Sequence, residues 1–97
     1  MLDDAFSEYG EPDVEGASTH QYIWKDGQCK NLGNWKVESA EACVGWCRHY
    51  RDVKNSGCNV VAYSRQKSIC VMRKCPEPVP PPTAIDDYYT GYILDKN

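Results

Sequence analysis

Ser39-Ala-Glu-Ala-Cys43-Val-Gly-Trp46-Cys47-Arg-His-Tyr50 is the stretch whose reading decides the fold. Ser39 is placed to accept an otherwise unpaired backbone N–H as N-cap, and Glu41 puts an acid in the first turn, where the helix dipole favours it. Cys43, Trp46, Cys47 and Tyr50 follow at i, i+3, i+4 and i+7, one face of a helix, with Val44 at its border. Arg48, Arg51, Asp52 and Lys54 fall mostly on the other side, and Asn55-Ser56-Gly57 stops the helix. Cysteines four apart on a helix have Cβ atoms about 5 to 6 Å apart, beyond the roughly 3.5 to 4.5 Å that a disulfide accepts. Cys43 and Cys47 therefore reach outward from one helical face to the elements beneath, and the helix is stapled twice. Each staple contributes about 2 to 4 kcal/mol by restricting the unfolded chain.

Downstream, Asn59 to Ser64 and Ile69 to Arg73 read as two strands joined by the polar turn Arg65-Gln66-Lys67-Ser68. Upstream, Gln21-Tyr22-Ile23-Trp24-Lys25 reads as a short strand closed by an Asp26-Gly27 turn. One helix with a small antiparallel sheet makes the fold class α+β, small and disulfide-rich.

The cysteine count supports oxidation. Six cysteines in 97 residues is an even number, and there is no Cys-x2-Cys pair, only Cys43-x3-Cys47 and Cys70-x4-Cys75. His20 and His49 complete no zinc spacing with them, so disulfides and an extracellular or secretory compartment are expected. Six cysteines allow about 15 connectivities, and spacing alone does not choose. Residues 1 to 20 start acidic and lack an apolar signal core, which reads as a mature chain or an excised module. No stretch is long and apolar enough for a membrane span.

Charge divides the chain into three zones. Residues 1 to 24 carry six acids and no Lys or Arg, residues 25 to 75 sum to +6, and residues 76 to 97 sum to −3. The sequence domains are accordingly an acidic arm (1–20), a basic cysteine-rich core (21–75), and a proline-rich spacer with a C-terminal strand (76–97). Pro76, Pro78, Pro80, Pro81 and Pro82 suggest a stiff, polyproline-like spacer. Residues 87 to 94 cluster aromatic and β-branched side chains and read as a strand that pairs with the core or with another chain.

The cysteine pattern resembles the PAN/apple domain family. The matching runs are Cys29-Lys-Asn-Leu-Gly-Asn-Trp35, Ser39 to Cys47 on the helix, Gly57-Cys58-Asn-Val-Val-Ala-Tyr63-Ser, and Ser68-Ile-Cys70-Val-Met. The resemblance implies a helix packed on an antiparallel sheet, with Cys43 bonded to Cys70 and Cys47 to Cys58. Cys29 and Cys75 are then left to each other, although the family's outermost cysteine generally lies further downstream. It also implies a non-enzymatic module that binds glycans or proteins in adhesion, some of them binding heparin.

Catalysis has little support in the residues. There is no nucleophile elbow, no phosphate-cradling Gly-rich loop and no calcium-loop spacing, and no cofactor is expected. Asp86 and Asp87 diverge on an extended segment, and His49 reads as a helix-surface residue. Binding reads better. Arg48, Arg51 and Lys54 on the helix, Arg65 and Lys67 in the hairpin turn, and Arg73 and Lys74 after it would, if convergent, attract an anionic polysaccharide or an acidic protein. Nucleic acid is disfavoured by the compartment and by the net charge of −3. A second expectation uses the arms: Phe6, Tyr9, Tyr88, Tyr89 and Tyr92, with the strand at 87–94, would make head-to-tail contacts in a homo-oligomer or filament.

Overall fold

A computed structural model of the chain describes residues 14–25 and 27–95. Phe6 and Tyr9 lie outside the described residues. The elements are β1 (Ala17–His20), β2 (Lys30–Lys36), α1 (Ala40–Asp52), β3 (Val60–Ser64), β4 (Ile69–Lys74) and β5 (Thr90–Leu94). All strand pairs are antiparallel, and the five strands lie in the order β1-β5-β3-β4-β2. The expected α+β architecture is present: one helix on an antiparallel sheet, with three disulfides.

β3 is the centre of the molecule. All five of its residues are buried, because β4 and β5 flank it and both faces of the sheet are covered there. On one face Val61 and Tyr63 pack with Cys43, Val44 and Cys47 of α1 and with Met72, Tyr92 and Leu94. On the other, Val60 packs with Trp24, Val79, Ile93 and the Cys29–Cys75 bridge. A strand covered on both faces reads as an unbroken apolar run rather than an alternating one.

The helix starts as expected, with Ser39 Oγ accepting from Ala42 N at 3.0 Å. Its inner stripe is different. The buried residues are Ala40, Cys43, Val44 and Cys47. At about 100° per residue, Trp46 stands roughly 110° from the middle of that stripe and Tyr50 roughly 70°. Trp46 is accordingly 50% exposed, and Tyr50 is half-buried. Both cysteines must point inward to reach their partners, and this rotates Val44 in and Trp46 out.

Cys43 bonds to Cys70 in β4, Cys47 to Cys58 just before β3, and Cys29 to Cys75, with sequence separations of 27, 11 and 46 residues. Loop-closure entropy puts these constraints at about 3 to 4 kcal/mol each.

Three strand assignments change. Residues 21–25 are not a strand. They form a single bridge, Ile23 to Ala84, while the preceding Ala17–His20 takes the pairing with β5. Lys30–Lys36 is an unexpected edge strand on β4, kinked by a bulge between Asn31 and Gly33. The C-terminal strand is shorter than expected because Tyr89 N donates to Asp86 O at 3.1 Å and Asp86 Oδ1 accepts from Tyr88 N at 2.9 Å, turning the chain at 86–89. β5 then inserts between β1 and β3, so both its edges are paired within the chain and neither is left for strand donation. Tyr92 is 0% exposed and belongs to the core, not to a contact between subunits.

The proline-rich segment is a strap rather than a spacer. It crosses the sheet face opposite α1. Trp24 Nε1 donates to Pro80 O and Gln28 Nε2 to Pro81 O, both at 2.8 Å. The cysteine-rich stretch 21–75 is therefore not the whole of the fold, since β1, the strap and β5 all lie outside it.

Candidate binding surface

α1 lies over β3, β4 and β5. β2 stands beyond its edge, and the step between helix and strand forms an open groove of about 240 Å³ lined by Trp35, Lys36, Val37, Trp46, Tyr50 and Met72. Trp35 and Trp46 are 39% and 50% exposed. Tyr50 sits between them, with ring centroids 5.7 Å from Trp35 at 68° and 6.2 Å from Trp46 at 88°. His49 extends the row, 5.7 Å from Trp46 at 89°. Edge-to-face pairs of this kind hold their rings in fixed orientation, and here they leave slots between inclined rings instead of a flat platform.

The backbone beneath Trp35 is built to hold it. Asn31 Oδ1 accepts from Gly33 N at 2.6 Å, closing a tight local turn at the bulge. Gly33 has φ +133°, and a Cβ there would come within 2.8 Å of the Trp35 ring. The absence of a side chain thus serves both the backbone and the seat of the indole. From the other side, Val37 is anchored by Tyr63 Oη donating to Val37 O and by Val37 N donating to Ser68 O, at 2.8 and 2.9 Å.

The basic residues expected to converge do not form one patch. Arg48 and Arg51 turn to the flank of α1 away from the groove. Arg48 Nη2 donates to Gly16 O at 3.3 Å. Arg51 pairs with Asp52 at 2.8 Å, and its Nη1 donates to Asp95 O at 3.3 Å. The hydrogen bond between them holds the Asp52 carboxyl below its usual range and raises the Arg51 guanidinium. These arginines tie the helix to the chain entering β1 and leaving β5. Lys54 is exposed just past the helix.

Arg65 and Lys67 lie in the β3–β4 turn, where Lys67 Nζ stands 5.1 Å from the Tyr88 ring centroid and 5.9 Å from that of Tyr89. Arg73 and Lys74 close the far end of β4, separated from the turn by the strand's length, about 17 Å at 3.3 Å per residue. The Lys74 stem packs over Gly57, whose φ is +83°. Tyr88, 52% exposed, and the half-buried Tyr89 are engaged with Lys67 of their own chain.

The sequence hides the groove for two reasons: Lys30–Lys36 carries no alternating apolar pattern, and periodicity alone puts Trp46 on the inner face of the helix. The available signal was Lys30 and Lys36 bracketing a glycine and a tryptophan, since lysines and bulges mark edge strands. Among the described residues no three His, Cys, Asp or Glu side chains converge as a metal site, and no helix is long and apolar enough to cross a membrane. No model of a known protein family matches the chain, and no curated protein matches it.

Proposed function

We propose that this chain is a non-enzymatic, extracellular binding module of PAN/apple type, whose contact face is the aromatic groove between α1 and β2. The observation that carries this reading is the pair of exposed tryptophans fixed against Tyr50. Large aromatic side chains left half in water are expensive unless something covers them, and Trp and Tyr supply much of the binding energy in recognition surfaces. Their rings are already oriented, so little conformational entropy is lost when a ligand arrives. The three disulfides support an oxidising compartment. The helix stapled to the sheet by Cys43 and Cys47 supports the family resemblance. The ligand is a protein or polysaccharide that presents a ridge or ring to the slots. Arg48 and Arg51 act as local ties, and the bases do not gather into one cationic field.

The test is a titration followed through the tryptophan indole N–H signals by NMR. Three probes are added in turn: a heparin oligosaccharide, a neutral hexose oligosaccharide and a proline-rich peptide. The expected result is that one probe shifts Trp35 and Trp46 together while Trp24 stays still, and that Trp46→Ala abolishes the response. Signals indifferent to all three probes up to millimolar concentration, or a response mapping to Arg48 and Arg51 instead, would overturn the assignment of the groove.

A further inference from the structure

Where β2 borders the groove, one side of its backbone is unpaired. Val37 N donates to Ser68 O at 2.9 Å, continuing the antiparallel register that sets Lys36 against Ile69, Trp35 against Cys70 and Asn34 against Val71. Successive residues of an antiparallel strand bond to alternate sides. Trp35, like Val37, is therefore bonded towards β4, and Asn34 and Lys36 turn their N–H and C=O outward. β2 is the last strand on that side of the sheet, and Asn34, Trp35 and Lys36 are all exposed. Among the described residues, no other backbone group pairs with those outward groups. The opposite edge differs: on β1, Ala17 N is already taken by Val14 O at 3.2 Å.

A free strand edge accepts another extended backbone, and the side chains beside it decide which one. Antiparallel addition is the more stable mode per residue. In that mode Trp35 occupies a non-hydrogen-bonded position, where facing side chains come closest, with Cα atoms about 4.5 Å apart. The residue opposite it lies against the Trp35 ring and points into the groove that Trp35 shares with Trp46 and Tyr50. Aromatic and β-branched side chains make the favourable pairs with an aromatic there. The next residue of the added strand points to the other face, beside the exposed Lys36, where a carboxylate fits. Lys30 has the same sign at the start of β2, beyond the bulge between Asn31 and Gly33 that ends the regular edge. Two copies of β2 set edge to edge would line up four lysines along one seam. The charge that favours an acidic strand thus disfavours a second copy of this chain.

Resting on the reading of the groove as the contact face, we propose that its partner is an extended, acidic segment of another protein that adds antiparallel to the free edge of β2. Main-chain bonds to Asn34 and Lys36 hold the segment. Specificity comes from its alternation: an aromatic or β-branched residue against Trp35, and an acid one position away beside Lys36.

The probe is a capped peptide, Thr-Glu-Val-Glu-Tyr-Glu-Thr, titrated to millimolar concentration into the isotope-labelled full chain. The indole N–H signals of Trp35 and Trp46 are expected to shift. Hydrogen exchange at the Asn34 and Lys36 amides should slow at least about fivefold at saturation, because they gain partners, while the Trp35 amide, already bonded to β4, should not change. N-methylation of the central Glu, whose N–H faces β2, should weaken binding at least about tenfold, whereas N-methylation of the Tyr, whose N–H faces away, should be tolerated. Lys36→Glu, a change on an exposed side chain, should weaken binding at least about threefold, and a peptide with Lys in place of Glu should restore it. Indoles that stay still, indoles that shift without slowing of Asn34 and Lys36, or equal effects of the two N-methylations would each overturn the proposal. Slowing of those two amides in the free chain as its concentration rises would overturn it too, by assigning the edge to a second copy. The oligosaccharide titrations above separate the two levels. Indoles that respond to an oligosaccharide but not to the peptide keep the groove and refute strand addition, whereas silence to every probe removes both.

Discussion

Asn59 joins β3, the Cys29–Cys75 bridge and the strap, and Asn59→Ala tests how much that junction contributes. Its Oδ1 accepts from Cys75 N at 2.8 Å, and its Nδ2 donates to Cys75 O and Glu77 Oε2, each at 3.0 Å. An amide offers acceptor and donor side by side as a peptide group does, so the side chain acts as one more strand residue against Cys75. Asn59 is 8% exposed and Cys75 2%, so water does not readily replace what alanine removes.

Each buried backbone group deprived of its partner costs about 1 to 3 kcal/mol, and Cys75 loses both N–H and C=O partners. Glu77 is exposed, and water takes over its lost contact at little cost. The sum is about 2 to 6 kcal/mol. Outward relaxation of the strap restores some hydration and draws the expectation to about 3 kcal/mol. The backbone bonds Asn59 N to Arg73 O and Leu94 N to Asn59 O do not use the side chain and persist. Urea unfolding with the disulfides intact measures the effect as a shift of midpoint at constant slope.

Asn59→Asp adds a pH signature. It keeps the acceptor for Cys75 N but turns the donor into a carboxylate oxygen facing Cys75 O and the Glu77 carboxylate. Burial and the neighbouring acid raise its folded-state pKa above the unfolded value. The folded state then binds more protons than the unfolded state between the two pKa values, so stability falls as pH rises through that window and returns as pH drops below it. A loss under about 0.5 kcal/mol in Asn59→Ala, or an Asn59→Asp deficit that does not shrink on acidification, would refute the reasoning.

Three further outcomes are expected. Gly91→Ala should destabilise by about 1 to 3 kcal/mol in the same urea assay, because a Cβ there collides with the Tyr22 carbonyl and lies 3.0 Å from Trp24 Cζ3. An unchanged midpoint would mean that residues 22–24 are not pressed onto the sheet. Trp24→Phe removes the Pro80 bond while keeping most of the ring, and should cost about 1 kcal/mol or slightly more. Hydrogen exchange should then accelerate at the Ala84 and Ile23 amides, which bond each other's carbonyls where the strap ends, before those of β3, and uniform acceleration would count against a strap held chiefly by the Trp24 bond. Burial lowers the pKa of His20 from 6.5, so the unfolded chain takes up the proton first. Stability should hold above pH 6.5 and fall as pH drops below it towards the folded-state pKa. His20→Gln should reduce that slope in melting temperatures recorded against pH, and an identical slope would assign the dependence to other groups.

The helix, the β3–β4 hairpin and the oxidised state were legible because each rests on a local rule: a capping serine, cysteines four apart, and apolar runs flanking a polar turn. The errors arose where a partner distant in sequence decides the outcome. Trp46 fits the inner face by periodicity, yet the reach of Cys43 to Cys70 and of Cys47 to Cys58 rotates the helix and leaves it in the groove. Ala17–His20 has no strong strand signal and pairs because β5 arrives beside it. Gln21–Lys25 has that signal and does not form a strand, because Trp24 is drawn to the opposite face by Val60, Val79 and the Pro80 carbonyl.

The proline run was legible as stiff but not as docked. Nothing local says that Trp24 and Gln28, 56 and 53 residues away, hold its carbonyls. The basic residues were legible as a charge excess without a location, since charge is a sum over sequence and a patch is a coincidence in space. By itself, the sequence determined the parts: a stapled helix, a hairpin, a set of cysteines that pair as disulfides and a polar surface. Tertiary structure decided which side chains share a face. Burial is settled by the packing of distant segments, and only that packing sets two tryptophans beside Tyr50 on one side of the sheet and the proline-rich strap on the other.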